Sequence, residues 1–287
     1  MSRPSARVLA LTTLAMVAFA GNSLLGRAAL RDTDIDAATF TCVRLLSGAL
    51  MLWLLLALRG NRAPTKKGSW GSALALFAYA ATFSYAYGGL SAAMGALLLF
   101  GAVQATMISI GIVRGDRPGL WQWAGFAVAF SGLIGLLLPG LTAPPLISSL
   151  LMISAGIAWG IYSLRAKGAG EPTAATTGNF IRTVPMALVL SLVMITNASA
   201  DLAGIGYAVA SGAISSGMGY AVWYMALPFL QATTAATVQL SVPVIAAVGG
   251  VLLLSEPLTL RLVVAGSAIL GGIAIVIRSG QKKNSLA

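Results

Sequence analysis

Histidine is absent from all 287 residues, and charge is scarce: 18 Lys and Arg with 7 Asp and Glu make 9% of the chain. Soluble domains carry about 25% charged residues, so an ordinary soluble domain is excluded. Cys42 is the one cysteine, which leaves no intrachain disulfide; its plain reading is a small buried residue. There is no GxSxG, no HExxH and no P-loop lysine. An intramembrane protease or an ATP-driven pump needs one of these. With no histidine and no paired carboxylates in apolar stretches, neither a metal nor a cofactor is expected.

What the chain has instead is apolar length. Hydrophobic residues make 58% of it, and residues 202–255 are 54 consecutive uncharged positions. A membrane span takes about 20 apolar residues because the hydrocarbon layer is about 30 Å thick. This run holds two spans and a turn. Residues 68–113 and 118–164 each hold two more, and single spans fit 8–26, 39–58, 176–196 and 262–277. The expected fold is an all-α integral membrane protein with ten transmembrane helices, its partner surface being the lipid bilayer. Arg3 and Arg7 before an apolar run ending in Ala18-Phe19-Ala20 imitate a signal peptide. No cleavage is expected, because the run continues to Leu30 and its loss would leave nine helices.

The net charge of +11 has a membrane explanation and does not call for nucleic acid. With the N-terminus in the cytoplasm, thirteen Lys and Arg fall in inside segments, and Arg27, Arg31 and Arg261 fall outside or near it. Asp32, Asp34, Asp36, Asp201 and Glu256 fall outside. The positive-inside rule then makes both termini cytoplasmic, and an inner-membrane location is expected.

The chain also repeats itself. An offset of 140 sets Asp116 against Glu256, and an offset of 138 sets Arg27 against Arg165 and Arg44 against Arg182. Residues 1–140 and 141–287 are thus two five-helix units. Five is odd, so the second enters the membrane from the opposite side, giving inverted repeats. Such repeats belong to transporters, whose substrate site lies near the midplane where the halves meet.

The stretch QATTAATVQLSVPVIAAVGGVLLLSEPLT, residues 231–259, has a small-residue helix, Pro243 within it, then Glu256-Pro257 before the last helix. It resembles the ninth-helix signature of the ten-helix, EamA-like drug/metabolite transporter superfamily. Ala158-Trp159 and Phe19 with Asn22 are also similar to that family, and the aromatic-rich third helix resembles its aromatic amino-acid exporter branch. The resemblance implies export of small metabolites. It also implies a central cavity among helices one to four and six to nine, with five and ten peripheral.

Candidate site residues follow from type and position. Tyr79 and Phe83 share a face of the third helix, and Trp159 and Tyr162 a face of the sixth. Together they suit an apolar, aromatic solute. Tyr220, Trp223 and Tyr224 sit on the eighth. Tyr87 and Trp70 read as interfacial belt residues. Asn22, Asn179 and Gln239 are the intramembrane polar residues expected at the cavity. Arg44 and Arg182 lie inside spans, at about 2.5–3.5 kcal/mol each on insertion scales. They either snorkel to a span end or face the cavity, one toward each mouth, and attract a carboxylate. Small residues at 124, 125 and 129 and at 265, 268 and 272 allow close contact of helices five and ten, within the chain or in a homodimer. Since no span holds an acid or histidine, gradient-driven facilitated export by alternating access is expected. A carrier of nucleobase-like or vitamin compounds, or a non-transporting scaffold, is the alternative.

Overall fold

The computed structural model describes residues 6–58, 67–115, 118–138, 143–166, 171–230, 235 and 238–284, the last five by backbone only. Asp116, Thr237 and several loop basic residues, Lys66 among them, lie outside the described residues. No strand occurs among those described. The chain forms α1 (Ala6–Asp32), α2 (Ala37–Leu58), α3 (Trp70–Tyr87), α4 (Ala92–Val113), α5 (Leu120–Leu137), α6 (Leu146–Ala166) and α7 (Pro172–Val193). The eighth helix, α8, runs Leu202–Val209, then a π-helical stretch Ala210–Met218, then Gly219–Ala226. After a 3-10 turn at Leu227–Phe229 come α9 (Ser241–Leu254) and α10 (Leu260–Asn284). Seven of these ten are, by length and composition, apolar enough to cross a membrane.

Serines start two helices and polar side chains fix the turns. Ser69 and Ser91 accept from the backbone N–H groups of Ser72 and Met94, capping α3 and α4. Asp36 caps α2 by accepting from the N–H of Ala38 and Thr39. It also accepts from Ser199 N at 3.0 Å, which ties the α1–α2 turn to the α7–α8 loop. Pro243 falls in the first turn of α9, where its missing N–H costs little. Pro185 lies inside α7.

Two ends of the bundle are defined by contacts between turns. At one, Lys67 pairs with Glu171 at 3.0 Å and Arg182 donates to Lys67 O. At the other, Asp36 meets Ser199, Arg31 donates to Leu254 O, and Arg261 donates to Leu138 O. The N-terminal start of α1 belongs to the first end, called here the amino end; the second is the turn end.

The helices pack in pairs. α3 packs on α6 as α8 packs on α1, and α4 on α6 as α9 on α1. α2 meets α7, and α5 meets α10. Glycine lets α5 close on α10 and α8 close on α2. A Cβ on Gly125 would stand 2.6 Å from Gly272 O, and one on Gly212 would strike Arg44 O. The small-residue stripes of α5 and α10 therefore face each other within the chain. Their outer faces, with Trp121, Trp123, Phe130 and Val264, are exposed, as befits a lipid-facing position.

Candidate functional site

A cavity of about 450 Å³ lies among α1, α3, α4, α6, α8 and the residues leading into α9. Ala166, Pro172, Leu230 and Ala235 line it where helices end at the amino end. Its deepest lining, Asn22, Ser23, Phe83 and Leu99, stops short of the turn end. Among the described lining residues none belongs to the turn end, so the cavity is a well blind on that side.

Aromatic rings make most of its wall. Trp159 stacks on Tyr220 with centroids 5.2 Å apart at 23° and tilts against Tyr79 at 4.9 Å and Tyr162 at 5.3 Å. Phe19 meets Tyr220 and Trp223 edge-on at 5.6 and 6.0 Å. These rings come from α1, α3, α6 and α8, so no local sequence pattern could pair them. Each interlocks in the offset or edge geometry that aromatic quadrupoles prefer, which presets the wall before any solute arrives.

Of the residues singled out from sequence, Trp159, Tyr79, Phe83, Tyr162, Asn22 and Gln239 line this cavity together. Asn179 does not. It stands behind Tyr162, donating to its hydroxyl at 3.4 Å and accepting from Ser69 N at 2.9 Å. Arg182 also stays off the cavity, donating to Lys67 O and Gly178 O at 2.8 Å each; it reaches toward the amino end as snorkelling requires. Arg44 does neither thing expected. It is 2% exposed, so it neither snorkels nor stands at a mouth. It lies behind the cavity wall, donating to Tyr79 Oη at 2.9 Å, with its guanidinium 4.5 Å from the Phe83 ring centroid and 5.2 Å from that of Tyr79.

The blind end is polar. Asn22 Oδ1 accepts from Ser211 at 2.9 Å and Ser216 at 3.3 Å, both on the π-helical stretch of α8. A π turn shifts residues around the helix axis by an extra position. Here it lets both hydroxyls converge on Asn22 while Gly212 backs onto α2. The π stretch has no composition signal, so sequence reasoning missed it. Tyr220, Trp223 and Gln104 also line the cavity; their aromatic and amide side chains within apolar runs were the signal for them.

The turn end is shut by an ion cluster that the sequence reading placed outside. Glu256 is 7% exposed, paired by Arg27 Nε at 3.0 Å and Arg31 Nη1 at 3.8 Å. Its other oxygen accepts from Ala92 N, the first residue of α4, at 2.8 Å, where a helix N-terminus favours a carboxylate. Arg27 also donates to Tyr87 O. α1 extends to Asp32, past the expected end at residue 26, and this extension carries Arg27 and Arg31 inward. Ser255 in the left-handed region, φ +52, turns Glu256 back under Gly250. Tyr87, expected at the interface, is fully buried against Gly95 and Phe83 beneath this cluster, whereas Trp70 is exposed.

Comparison with known proteins agrees with this architecture. The EamA-like transporter family matches the chain twice, over residues 6–138 and 146–278. An uncharacterized protein of Pseudomonas aeruginosa is 56% identical over 274 residues, covering 96% of each chain. An uncharacterized transporter of Archaeoglobus fulgidus is 42% identical over 78 residues, 27% of this chain and 28% of its own. A solved crystal structure covers 95% of this chain and 99% of its own, with a TM-score of 0.66 at 15% identity, a likeness of fold alone.

Proposed function

The chain belongs to the EamA-like transporter family, multi-pass membrane transporters, and from that premise we infer that it exports small amphipathic metabolites, aromatic or hydrophobic amino acids first among them. The observation that carries this reading is the aromatic well. Its volume of about 450 Å³ falls within the range of roughly 300–1,000 Å³ typical of small-molecule sites. Its wall is rings, and its blind end is polar. One solute with an apolar body and a polar head suits both.

The reading includes the two units at 1–140 and 141–287 as inverted repeats that rock about the well. The matched packing of α3 on α6 and α8 on α1 supports an exchange of halves. It also includes an inner membrane with both termini cytoplasmic, supported by the excess of inside basic residues. The well then faces the cytoplasm, which is the loading state of an exporter. A homodimer through α5 and α10 would have to use their outer faces, since the small-residue stripes meet within the chain.

Reconstituted in liposomes, the protein should carry phenylalanine or tryptophan down a gradient. Trp159→Ala removes the ring at the centre of the wall. Aromatic contact is worth about 0.5–1.5 kcal/mol beyond buried area, so with the area included flux at low solute should fall about tenfold or more. Trp70→Ala, at the exposed start of α3, should leave flux unchanged. Equal flux in Trp159→Ala and wild type would remove the aromatic well as the transport site. Running the assay with a nucleobase tests the second reading, a nucleobase-like or vitamin solute, which the flat face of Trp159 on Tyr220 also suits. No flux of any solute would favour a scaffold.

A further inference from the structure

Resting on that reading of the well as the transport site, we propose that its blind end binds the carboxylate of the solute through a donor relay from Arg44 to Tyr79, and so selects for solutes that carry an anion. The starting observation is a charge with no counter-charge. Arg44 is 2% exposed, and among the described residues no carboxylate lies within 4.0 Å of it. Its Nη1 has no hydrogen-bond partner. The rings of Phe83 and Tyr79 offset part of the cost of burial, but a ring has no net charge to neutralise a cation. A buried, unpaired charge is expensive. The pocket behind the wall is therefore electrostatically incomplete until an anion comes near.

Tyr79 carries that incompleteness into the well. It lines the cavity, and its oxygen accepts from Arg44 Nη2 at 2.9 Å. Its own proton must then go elsewhere, and among the described residues no hydrogen bond is donated by the Tyr79 hydroxyl. A phenol that accepts from a cation is polarised into a stronger donor. Asn22 lines the same well, and its carbonyl is already taken by Ser211 and Ser216, so what its amide can still offer a solute is N–H donors. Two neutral donors backed by a fixed positive charge match a carboxylate. An ammonium group placed there would meet donors only, and a positive charge behind them. Arg44 does not line the well, so it is a positioning residue acting through Tyr79, and the readout that isolates it is selectivity between head groups. Mere destabilisation of the fold does not move that ratio.

The test titrates purified protein with two matched sets, following the melting temperature. The aromatic set is 3-phenylpropionate, 3-phenylpropanamide and 3-phenylpropylamine; the aliphatic set is hexanoate, hexanamide and hexylamine. In wild type the carboxylate should bind about tenfold to a hundredfold tighter than the amine of its set, the range a charge-assisted hydrogen bond supplies. Tyr79→Phe, which keeps the ring and removes the hydroxyl, should bring that ratio close to one, as should Arg44→Gln. The titration is repeated with chloride added. If chloride alone stabilises the protein and carboxylates add nothing, the charge belongs to a resident inorganic anion and the proposal is wrong. Equal binding of carboxylate and amine in both sets, or an unchanged ratio in Tyr79→Phe, likewise overturns it. If the aliphatic set shows the preference and the aromatic set does not bind, the anion end stands and the aromatic substrate reading fails.

Discussion

Glu256 shows how one residue can hold an end of the molecule shut. It joins α1, through Arg27 and Arg31, to the first turn of α4 and to the α9–α10 turn. Arg27 and Arg31 are only part-buried, so losing Glu256 costs less than the about 3–5 kcal/mol of a fully buried pair, but it removes the carboxylate that joins these elements. Glu256→Ala should therefore weaken closure of the turn end. A cysteine at Ser23, in a Cys42→Ala background, should become reactive to an impermeant thiol reagent added from the side of residues 88–91. Unchanged protection would mean that packing around Tyr87, and not the ion cluster, closes that end. Asp36 offers a pH test at the same end. Burial alone would raise its pKa, but hydrogen bonds from Thr39, Ser199 and Ala38 outweigh it and hold the carboxyl below its ordinary 3.8. A depressed carboxylate stabilises the fold above its unfolded pKa and loses that contribution as pH falls through the folded value. Melting temperature should thus drop below about pH 4 more steeply in wild type than in Asp36→Asn. Parallel curves would show that the carboxylate adds nothing. Sequence could place Tyr79, Trp159 and Asn22 in the well because each is the wrong kind of residue for a lipid-facing position. It could not pair Arg27 with Glu256, which lie 229 residues apart, nor show that Arg44 turns inward, because local spacing says nothing of the neighbour a long side chain finds.

At the level of elements, charge-free length marked out the helices well and their internal detail poorly. The runs 68–113 and 118–164 each divide into two helices, as their lengths require. The run 202–255 divides too, but its π stretch is invisible to hydropathy, since Ser, Gly and Ala suit any helical winding. Small residues also foretold the contact of α5 with α10, and two adjacent glycines give it a sharp test. A Cβ on Gly272 would lie 2.5 Å from Gly125 O and 2.6 Å from Ala129 N, both backbone atoms that cannot swing aside, whereas a Cβ on Gly271 meets nothing within 4 Å. Gly272→Ala should destabilise by roughly 1–3 kcal/mol through overpacking. Gly271→Ala should be neutral or stabilising by up to about 1 kcal/mol from helix propensity. Equal melting temperatures for the two variants would mean that α5 and α10 separate freely, and the close seam would lose its structural role.

For the whole molecule, the question is what energy source the well can use. A proton-coupled carrier needs a group that takes up a proton on one side and releases it on the other, and within membranes that group is Asp, Glu or His. The chain has no histidine, and among the described residues no acid lines the well. The one buried carboxylate among the described residues, Glu256, is already held by two arginines and a backbone N–H outside the well. On the proposed reading, a solute held by Tyr79 and the rings of Trp159 and Tyr220 would bring its own charge and take none from the protein. Transport should therefore run down the solute gradient alone. In liposomes with equal pH on both sides and no sodium, loaded phenylalanine should leave at the same initial rate as it does with an imposed pH difference of one unit. Glu256→Gln should change that rate without creating or abolishing pH dependence, because the residue closes an end and does not carry the cargo's proton. If efflux appears only when a proton or sodium gradient is imposed, the well is coupled through a group outside it. Glu256, the sole buried acid among the described residues, then becomes the first candidate for the carrier of that proton.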